Sequence, residues 1–369
     1  MLPNILIING NSSRLPLLDR SVHCIICSPP YYEKRDYQSG SGLGNEETPE
    51  EFISNLMDIF DEAHRVLRDD GQLFINIDDS RDGKHRVWRN IPHRLIDRMT
   101  RDYIWRFEDE FIWHKPNQIP QSQRCRFTRD YEPVFMLNKS KLAFFDWYGV
   151  LEPIKASTVE RNRYAHKGRS GVDGYGMWRE RKPGEQTGGD LKMRRAVWSI
   201  NTSPYPGEHY APFPEALVEP MIRAGSPEKC CSVCGKPYAR ILERSFDGEY
   251  NRKESLKQRK RMEGVMTGGI DKVTLGATQS VSWKFKGWRQ DCDCPGSTPA
   301  RSLVLDIFGG VGTTAMTAQR LGRIGISVDT GFQYCQQTRS RIGLDALDQW
   351  ETGIIDDDSD VSDLPLFGG

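Results

Sequence analysis

The chain has 369 residues, 51 Lys and Arg balanced by 51 Asp and Glu, and a mean hydropathy of -0.62. That length holds one large α/β domain with additions, or two ordinary domains. No apolar stretch approaches the length of a membrane span. The start, Met1-Leu2-Pro3-Asn4, lacks a charged segment followed by an apolar one, so the expectation is a cytoplasmic protein with no membrane partner. The neutral total hides segregation: Arg and Lys concentrate in the middle and the last residues are acidic, which leaves room for a polyanionic partner.

Residues 5–8 read as a strand and Asn9-Gly10-Asn11 as the loop after it. The apolar run Cys24-Ile25-Ile26-Cys27 reads as a short buried strand, ended abruptly by Ser28-Pro29-Pro30-Tyr31. The two prolines have no N–H to donate and stiffen the chain, so the carbonyls of Ser28 and Pro29 face outward as fixed acceptors. Acceptors for two N–H bonds beside an aromatic ring suit a planar amino group carried on a heterocycle. A plain strand-ending turn is the alternative. The polar, glycine-bearing stretch 32–44 has the make-up of a lid. Thr48-Pro49-Glu50-Glu51 supplies an N-cap, a proline at the first helical position and a capping-box glutamate. The helix that follows places Phe52, Leu56, Ile59, Phe60, Ala63, Val66 and Leu67 on one face, and Asp69-Asp70-Gly71 closes it before a strand over 73–77. Asp78-Asp79-Ser80 then stands at the strand's C-terminal end, where open α/β sheets place ligands; a polar turn is the other reading.

A helix over 91–99 and a strand over 103–113 lead to Trp113-His114-Lys115-Pro116-Asn117, and then through Glu132 to the apolar run 134–137. Between 151 and 195, glycine-broken cationic runs alternate with Tyr164, Tyr175 and Trp178, a pattern for following phosphates and reaching bases, or else for a solvated loop. A strand over 196–200 and a helix over 215–224 come next. There are nine cysteines, and the absence of a secretory signal favours metal over disulfides for the close pairs. Cys231-Ser232-Val233-Cys234-Gly235 has the form of a zinc knuckle, and Cys292-Asp293-Cys294 offers a second pair. Four thiolates, Cys231, Cys234, Cys292 and Cys294, would close a structural zinc site; Cys230 could replace Cys231, and metal-free thiol packing is the alternative. Between the pairs lies a basic loop with Arg252-Lys253 and Lys257-Gln258-Arg259-Lys260-Arg261.

Leu303-Val304-Leu305-Asp306-Ile307-Phe308-Gly309-Gly310-Val311-Gly312-Thr313-Thr314 reads as a buried strand, a glycine-rich turn and a helix start. The helix over 313–321 ends at Gly322, and the strand over 324–329 closes on Asp329, a carboxylate placed to accept ribose hydroxyls. After Trp350 the run Asp356-Asp357-Asp358-Ser359-Asp360 cannot bury a core and reads as a disordered tail.

Ser28-Pro29-Pro30-Tyr31 and the stretch 306–314 together resemble the amino-methyltransferases of DNA. In that family a Ser-Pro-Pro-Tyr or Asp-Pro-Pro-Tyr motif holds the target base, and an Asp-Pro-Phe-x-Gly-x-Gly-Thr-Thr motif holds S-adenosylmethionine. The motif order resembles the β class, over about residues 4–345. The resemblance implies a Rossmann-like α/β fold of the S-adenosylmethionine-dependent methyltransferases, with circularly permuted motif order and a mostly parallel sheet, joined here by the small zinc module. It places catalysis on Ser28, Pro29, Pro30 and Tyr31. It places the cofactor on Asp306, Phe308, Gly310, Gly312, Thr313, Thr314 and Asp329, bordered by His209 and Phe213. Ile307 for proline and Val311 for serine depart from the pattern, as does Pro133 where tyrosine or histidine is usual, which leaves the role of Glu132 open.

A leading serine is more usual in the family's cytosine enzymes, so the expected reaction is methylation of cytosine N4 in double-stranded DNA after base flipping, within a restriction-modification system; adenine N6 is the alternative. More remote are a non-catalytic zinc DNA-binding protein and a protein-glutamine methyltransferase. The expected location is cytoplasmic, at a bacterial or phage nucleoid. The organisation drawn from the sequence is a catalytic half over 1–150, a target-recognition segment over 151–195, a cofactor-bordering return over 196–228, a zinc insertion over 229–301, a cofactor half over 302–349 and the tail over 350–369. A homodimer is a further candidate assembly. Leu364-Pro365-Leu366-Phe367 resembles the peptides by which bacterial DNA enzymes dock on the replication sliding clamp, with a terminal clasp against the catalytic domain as the alternative.

Overall fold

Strand β1 (Ile5–Asn9) opens the fold, and β2 (Val22–Cys27) is buried at every position, the mark of a strand covered on both faces. The computed structural model describes residues 5–33, 42–101, 104–120, 122, 124–154, 191–202, 213–247 and 280–342. Helix α1 (Pro49–Val66) starts as its sequence dictates: the Thr48 hydroxyl accepts from the Glu51 amide at 3.2 Å, and the Glu51 carboxylate accepts from the Thr48 amide at 3.3 Å.

Strand β3 (Leu67–Asn76) begins at the residue after the helix, so Asp69-Asp70-Gly71 falls within its bounds and not in a separate closing turn, but it interrupts the pairing with β2: Leu67 faces Val22, and the next pair is Gln72 with Cys24. Three contacts hold this bulge. Lys139 donates to the carbonyls of His64 and Leu67 at 2.9 and 2.8 Å, Arg68 brackets the Asp70 carboxylate, and Gly71 lies so close to Leu67 that a Cβ there would sit 2.6 Å from its Cδ1. Helix α2 (Ile91–Thr100) is capped from a distance, the Asp79 carboxylate accepting from the amides of Asn90 and Ile91 at 2.9 and 3.0 Å. Asp79 is therefore a helix cap.

The chain continues through β4 (Arg106–His114), β5 (Tyr131–Asn138), β6 (Leu151–Pro153), β7 (Leu191–Met193), β8 (Val197–Ser199) and helix α3 (Glu215–Gly225). Then come β9 (Cys230–Cys231), β10 (Ala239–Asp247), β11 (Ser280–Arg289), β12 (Pro299–Ala300) and β13 (Leu303–Asp306). Helix α4 (Thr313–Arg320), β14 (Ile324–Asp329) and helix α5 (Phe332–Arg341) complete the described elements.

The residues divide into two units. The first, Met1–Val150 with Arg195–Tyr238 and Gln290–Gly369, holds an eight-stranded sheet in the order β1-β14-β13-β2-β3-β5-β4-β8. The run from β1 to β3 is parallel, β5 is antiparallel to both its neighbours, and β8 is parallel to β4, giving a mostly parallel mixed sheet. Alternation along β2 feeds two cores: Ile25 and Cys27 join Leu56, Phe60 and Leu95 on the α1/α2 face, while Cys24 and Ile26 join Leu217, Met221 and Ala318 on the other.

The second unit, Leu151–Arg194 with Ala239–Arg289, contains the antiparallel pairs β6/β7 and β10/β11, with the Arg240 guanidinium 4.3 Å from the ring centre of Trp288. The stretch 229–301 is thus divided: its cysteine-bearing ends belong to the first unit and the β10/β11 ribbon to the second. His209, the recognition residues Tyr164, Tyr175 and Trp178, most of the lid, the basic loop 252–261 and the tail over 350–369 with its clamp-like peptide lie outside the described residues.

Candidate active site

Because β13 pairs directly with β2, Val304 against Cys24 and Leu305 against Ile25, the ends of these strands open side by side. They deliver two motifs from opposite ends of the chain into one cleft of about 1010 Å³. Ser28, Pro29, Pro30 and Tyr31 line one part, and Asp306, Phe308, Gly310, Thr313 and Asp329 another, with Phe213 also on the wall. Sequence reasoning passed over Ser12, Asn76, Gln118 and Thr202 as lining residues; the signal for most of them is their place just beyond a strand's C-terminal end.

The glycine turn after β13 is built around two carboxylates. Asp306 is 1% exposed, accepts from the Thr314 hydroxyl at 2.6 Å and from the Phe308 amide at 3.0 Å. Burial pushes its carboxyl up to about 7, against those two hydrogen bonds, and the nearby Asp329 charge adds to the rise. Asp329 accepts from the amides of Gly310 and Gly331 at 2.9 and 2.8 Å, which fixes its carboxylate at the cleft. Gly312 takes a left-handed φ of 77° at the start of α4, and a Cβ there would come within 2.3 Å of Thr338 Cγ2. Gly312 and Thr314 therefore stand behind the lining residues, shaping the turn and holding Asp306.

Glu132 belongs to the site. The Ser28 hydroxyl donates to the Tyr31 phenol at 3.4 Å, the phenol donates to one Glu132 oxygen at 3.0 Å, and the other oxygen takes the Lys115 ammonium. Lys115 also lies 4.2 Å from the centre of the Trp113 ring, whose N–H donates to the Ile200 carbonyl at 2.8 Å. The Lys115 and Glu132 side chains are only 13% and 10% exposed, so the pair is a wall of the cleft and not a surface bridge. His114 turns elsewhere, to the Ser199 hydroxyl at 3.0 Å and Asp130 at 3.6 Å. Pro133 sits where β5 has passed the last pairing with β3, between Asn76 and Val134, and its carbonyl accepts from the Asn76 side chain at 3.2 Å.

The sulfurs of Cys231, Cys234, Cys292 and Cys294 all lie within 4.8 Å of one another. The amides of Val233 and Cys234 point at the Cys231 sulfur from 3.4 and 3.5 Å. Against the opposing effect of burial, these amides and neighbouring side chains draw the Cys231 thiol down to about 6. Cys230 faces the other way, with its sulfur on the Ala300 carbonyl at 3.5 Å, and burial pushes its thiol up to about 12. The knuckle is docked on the sheet at the end remote from the cleft, since His23 and Arg68 lie at the starts of β2 and β3. Arg68 donates to the Cys234 carbonyl at 2.8 Å. The Leu303 amide donates to His23 Nδ1 at 3.1 Å, so His23 carries its proton on Nε2 and donates it to the Gly235 carbonyl at 2.9 Å.

The family model described as DNA methylase matches residues 22–231. The type II methyltransferase M.SmaI of Serratia marcescens is 32% identical over 230 residues, covering 55% of this chain and 68% of that protein. M.Cfr9I of Citrobacter freundii, also a type II methyltransferase, is 32% identical over 240 residues, covering 58% and 68%. Among solved structures, the PvuII DNA methyltransferase (cytosine-N4-specific) superposes with a TM-score of 0.54 at 16% identity, over 92% of this chain and 88% of its own, a likeness of fold. With a family match that runs from β2 to the cysteine knuckle and relatives covered over most of their length, the chain belongs to the DNA methylase family, the S-adenosylmethionine-dependent amino-methyltransferases of DNA.

Proposed function

We propose that this enzyme methylates the exocyclic N4 of cytosine in double-stranded DNA, extruding the base into the cleft between the two motifs. The observation that carries the reading is the meeting of Ser28-Pro29-Pro30-Tyr31 with the Asp306 and Asp329 turn in one cavity. The lining fits S-adenosylmethionine: Asp329 is a fixed acceptor for hydroxyls, Phe308, Phe213 and Tyr334 offer rings to a flat base, and a Cβ at Gly310 would find only the Phe308 carbonyl, at 4.0 Å. When bound, S-adenosylmethionine supplies an electrophilic sulfonium methyl.

The chain's own residues prepare the amine. Its nitrogen is a poor nucleophile because the lone pair is delocalised into the ring. The Ser28 hydroxyl already donates its hydrogen to Tyr31, and Tyr31 donates to Glu132, so the lone pairs of the Ser28 oxygen face an incoming N–H. With the Pro29 carbonyl as second acceptor, the two amino hydrogens are held, the nitrogen turns pyramidal, and its lone pair is localised for in-line attack. The Tyr31 ring stacks on the extruded base, worth about 1–3 kcal/mol against an unpairing cost of a few kcal/mol.

Adenine N6 presents the same donor geometry and is the second reading; the leading serine favours cytosine. The likeness to type II methyltransferases supports a protective role beside a restriction nuclease. The four-cysteine cluster fits a structural zinc, because Zn–S bonds of about 2.3 Å put tetrahedral sulfurs about 3.8 Å apart, a short inward step from the spacing present. Mass spectrometry of nucleosides from DNA of cells expressing the chain tests the reaction. N4-methylcytosine is the expected product; N6-methyladenine alone would move the assignment to the second reading, and neither base would sink both.

A further inference from the structure

Two loops leave the sheet at the cleft. One follows β3, whose last residue, Asn76, lines the cavity; the other joins β4 to β5 between the cavity-lining Lys115 and Glu132. An ion pair between Asp78 and Arg129 at 2.8 Å ties them together. Residues 81–90 carry four Lys and Arg against one carboxylate, and residues 115–130 carry four against one.

The two loops share an aromatic post. The guanidiniums of Arg81, Arg126 and Arg129 lie 5.2, 5.7 and 4.8 Å from the ring centre of Trp88. Three cations around one ring gain from its quadrupole but repel one another. Asp78 serves Arg129, while Asp82 accepts from the amides of Lys84 and His85 at 2.7 and 2.8 Å and is occupied with the turn itself. The first loop is also rigid: Arg81 bridges to Trp88, the Asp82 amide donates to the Val87 carbonyl at 3.0 Å, and the Arg86 amide donates to the Asp82 carbonyl at 2.8 Å. Lys84, Arg86 and Arg124 stand exposed around this post.

A hydrogen-bonded, cation-rich rim beside a cavity, with Lys84, Arg86 and Arg124 exposed on it, fits a polyanion laid across it. We propose that these loops grip the phosphate backbone of duplex DNA next to the extruded base, with Lys84, Arg86 and Arg124 on phosphates and Trp88 holding Arg81, Arg126 and Arg129 in place. The assignment rests on DNA being the substrate, and it puts part of the DNA grip on the catalytic unit itself, apart from the segment 151–195.

The test is binding of the full-length protein to a random-sequence duplex of about 30 base pairs, followed by fluorescence anisotropy across a salt series. The triple variant Lys84→Ala, Arg86→Ala, Arg124→Ala should bind about tenfold or more weakly at low salt, and its log–log salt slope should fall by about 2 to 3. Calorimetric binding of S-adenosylmethionine should match wild type. Should the triple variant lose that binding, the single charge reversals Arg86→Glu and Arg124→Glu carry the test, each expected to weaken duplex binding and flatten the slope. Wild-type affinity and slope in the variants would overturn the proposal. A wild-type protein that binds the duplex, with variants that do not, yet methylates no base would sink the proposed reaction while upholding this surface.

Discussion

Tyr31 donates its phenolic hydrogen to Glu132 at 3.0 Å, and that single bond sets the direction of the next one, from Ser28 to Tyr31. The ring proposed to stack on the base would thus also orient the proposed acceptor beside it. Tyr31→Phe keeps the ring and removes the orienting bond. It should lower kcat about tenfold with little change in S-adenosylmethionine affinity, whereas Ser28→Ala should lower kcat by about 10²-fold or more. Single-turnover methylation and calorimetry on the same preparations check both, and equal effects from the two variants would argue against the relay.

The Lys115–Glu132 pair predicts a double-variant cycle. Lys115→Met leaves a carboxylate in a nearly closed wall, and Glu132→Gln leaves an ammonium there, so each should cost up to about 3 kcal/mol of stability. The double variant should recover much of the loss, because no unpaired charge remains. Denaturant unfolding measures the cycle; strictly additive losses would show that the two charges are solvated independently.

Asp306 predicts a pH dependence with a definite sign. Folding raises its pKa from 3.8 to about 7, so between these values the folded chain keeps a proton that the unfolded chain has released. The Asp306 contribution to stability of the ligand-free protein is therefore greatest below about pH 4 and is lost as pH rises toward 7. His23, drawn down to about 4 chiefly by burial, works in the opposite sense, so the informative quantity is the difference between wild type and Asp306→Asn. That difference should shift in favour of the variant from about pH 5 to about pH 8, and a flat difference would count against the raised carboxyl.

Zinc content should be one per chain in protein purified without chelator. Cys234→Ser should abolish it, while Cys230→Ser should retain it, because the Cys230 sulfur points away from the cluster. With about 10–16 kcal/mol available to such sites, metal loss should loosen residues 230–235 and 290–300 in hydrogen exchange, ahead of the sheet. Full occupancy in Cys234→Ser would rule out the assigned ligand set.

Much of this was legible in the sequence, for local reasons. Thr48 and Glu51 announced α1 because a capping box is complete within four residues, and the cysteine pairs announced their cluster because knuckle spacing is local too. What escaped was what depends on distant partners. Asp69-Asp70-Gly71 has the composition of a turn, yet Lys139 and Arg68 hold it as a bulge within β3. Glu132 has no neighbour in sequence that marks it, since its partners come from β4 and from the end of β2. The docking of the cysteine knuckle on His23 and Arg68 is likewise invisible until the strand order is known.

That strand order bears on how the protein comes into being. The two strands made last, β13 and β14, occupy the places between β1 and β2, which are made first. A nascent chain that has emerged only as far as α3 holds the edge strand β1 without its sheet partner β14 and β2 with one flank bare, because a gap two strands wide separates β1 from β2. Assembly of the cleft must wait for the ribosome to deliver residues 303–329, and until then the unpaired flank of β2, which ends in Ser28, is open to wrong partners. Slow translation or truncation upstream of Asp306 should therefore send the chain toward aggregation or chaperones, a vulnerability that arises from the order in which the sheet is written along the gene.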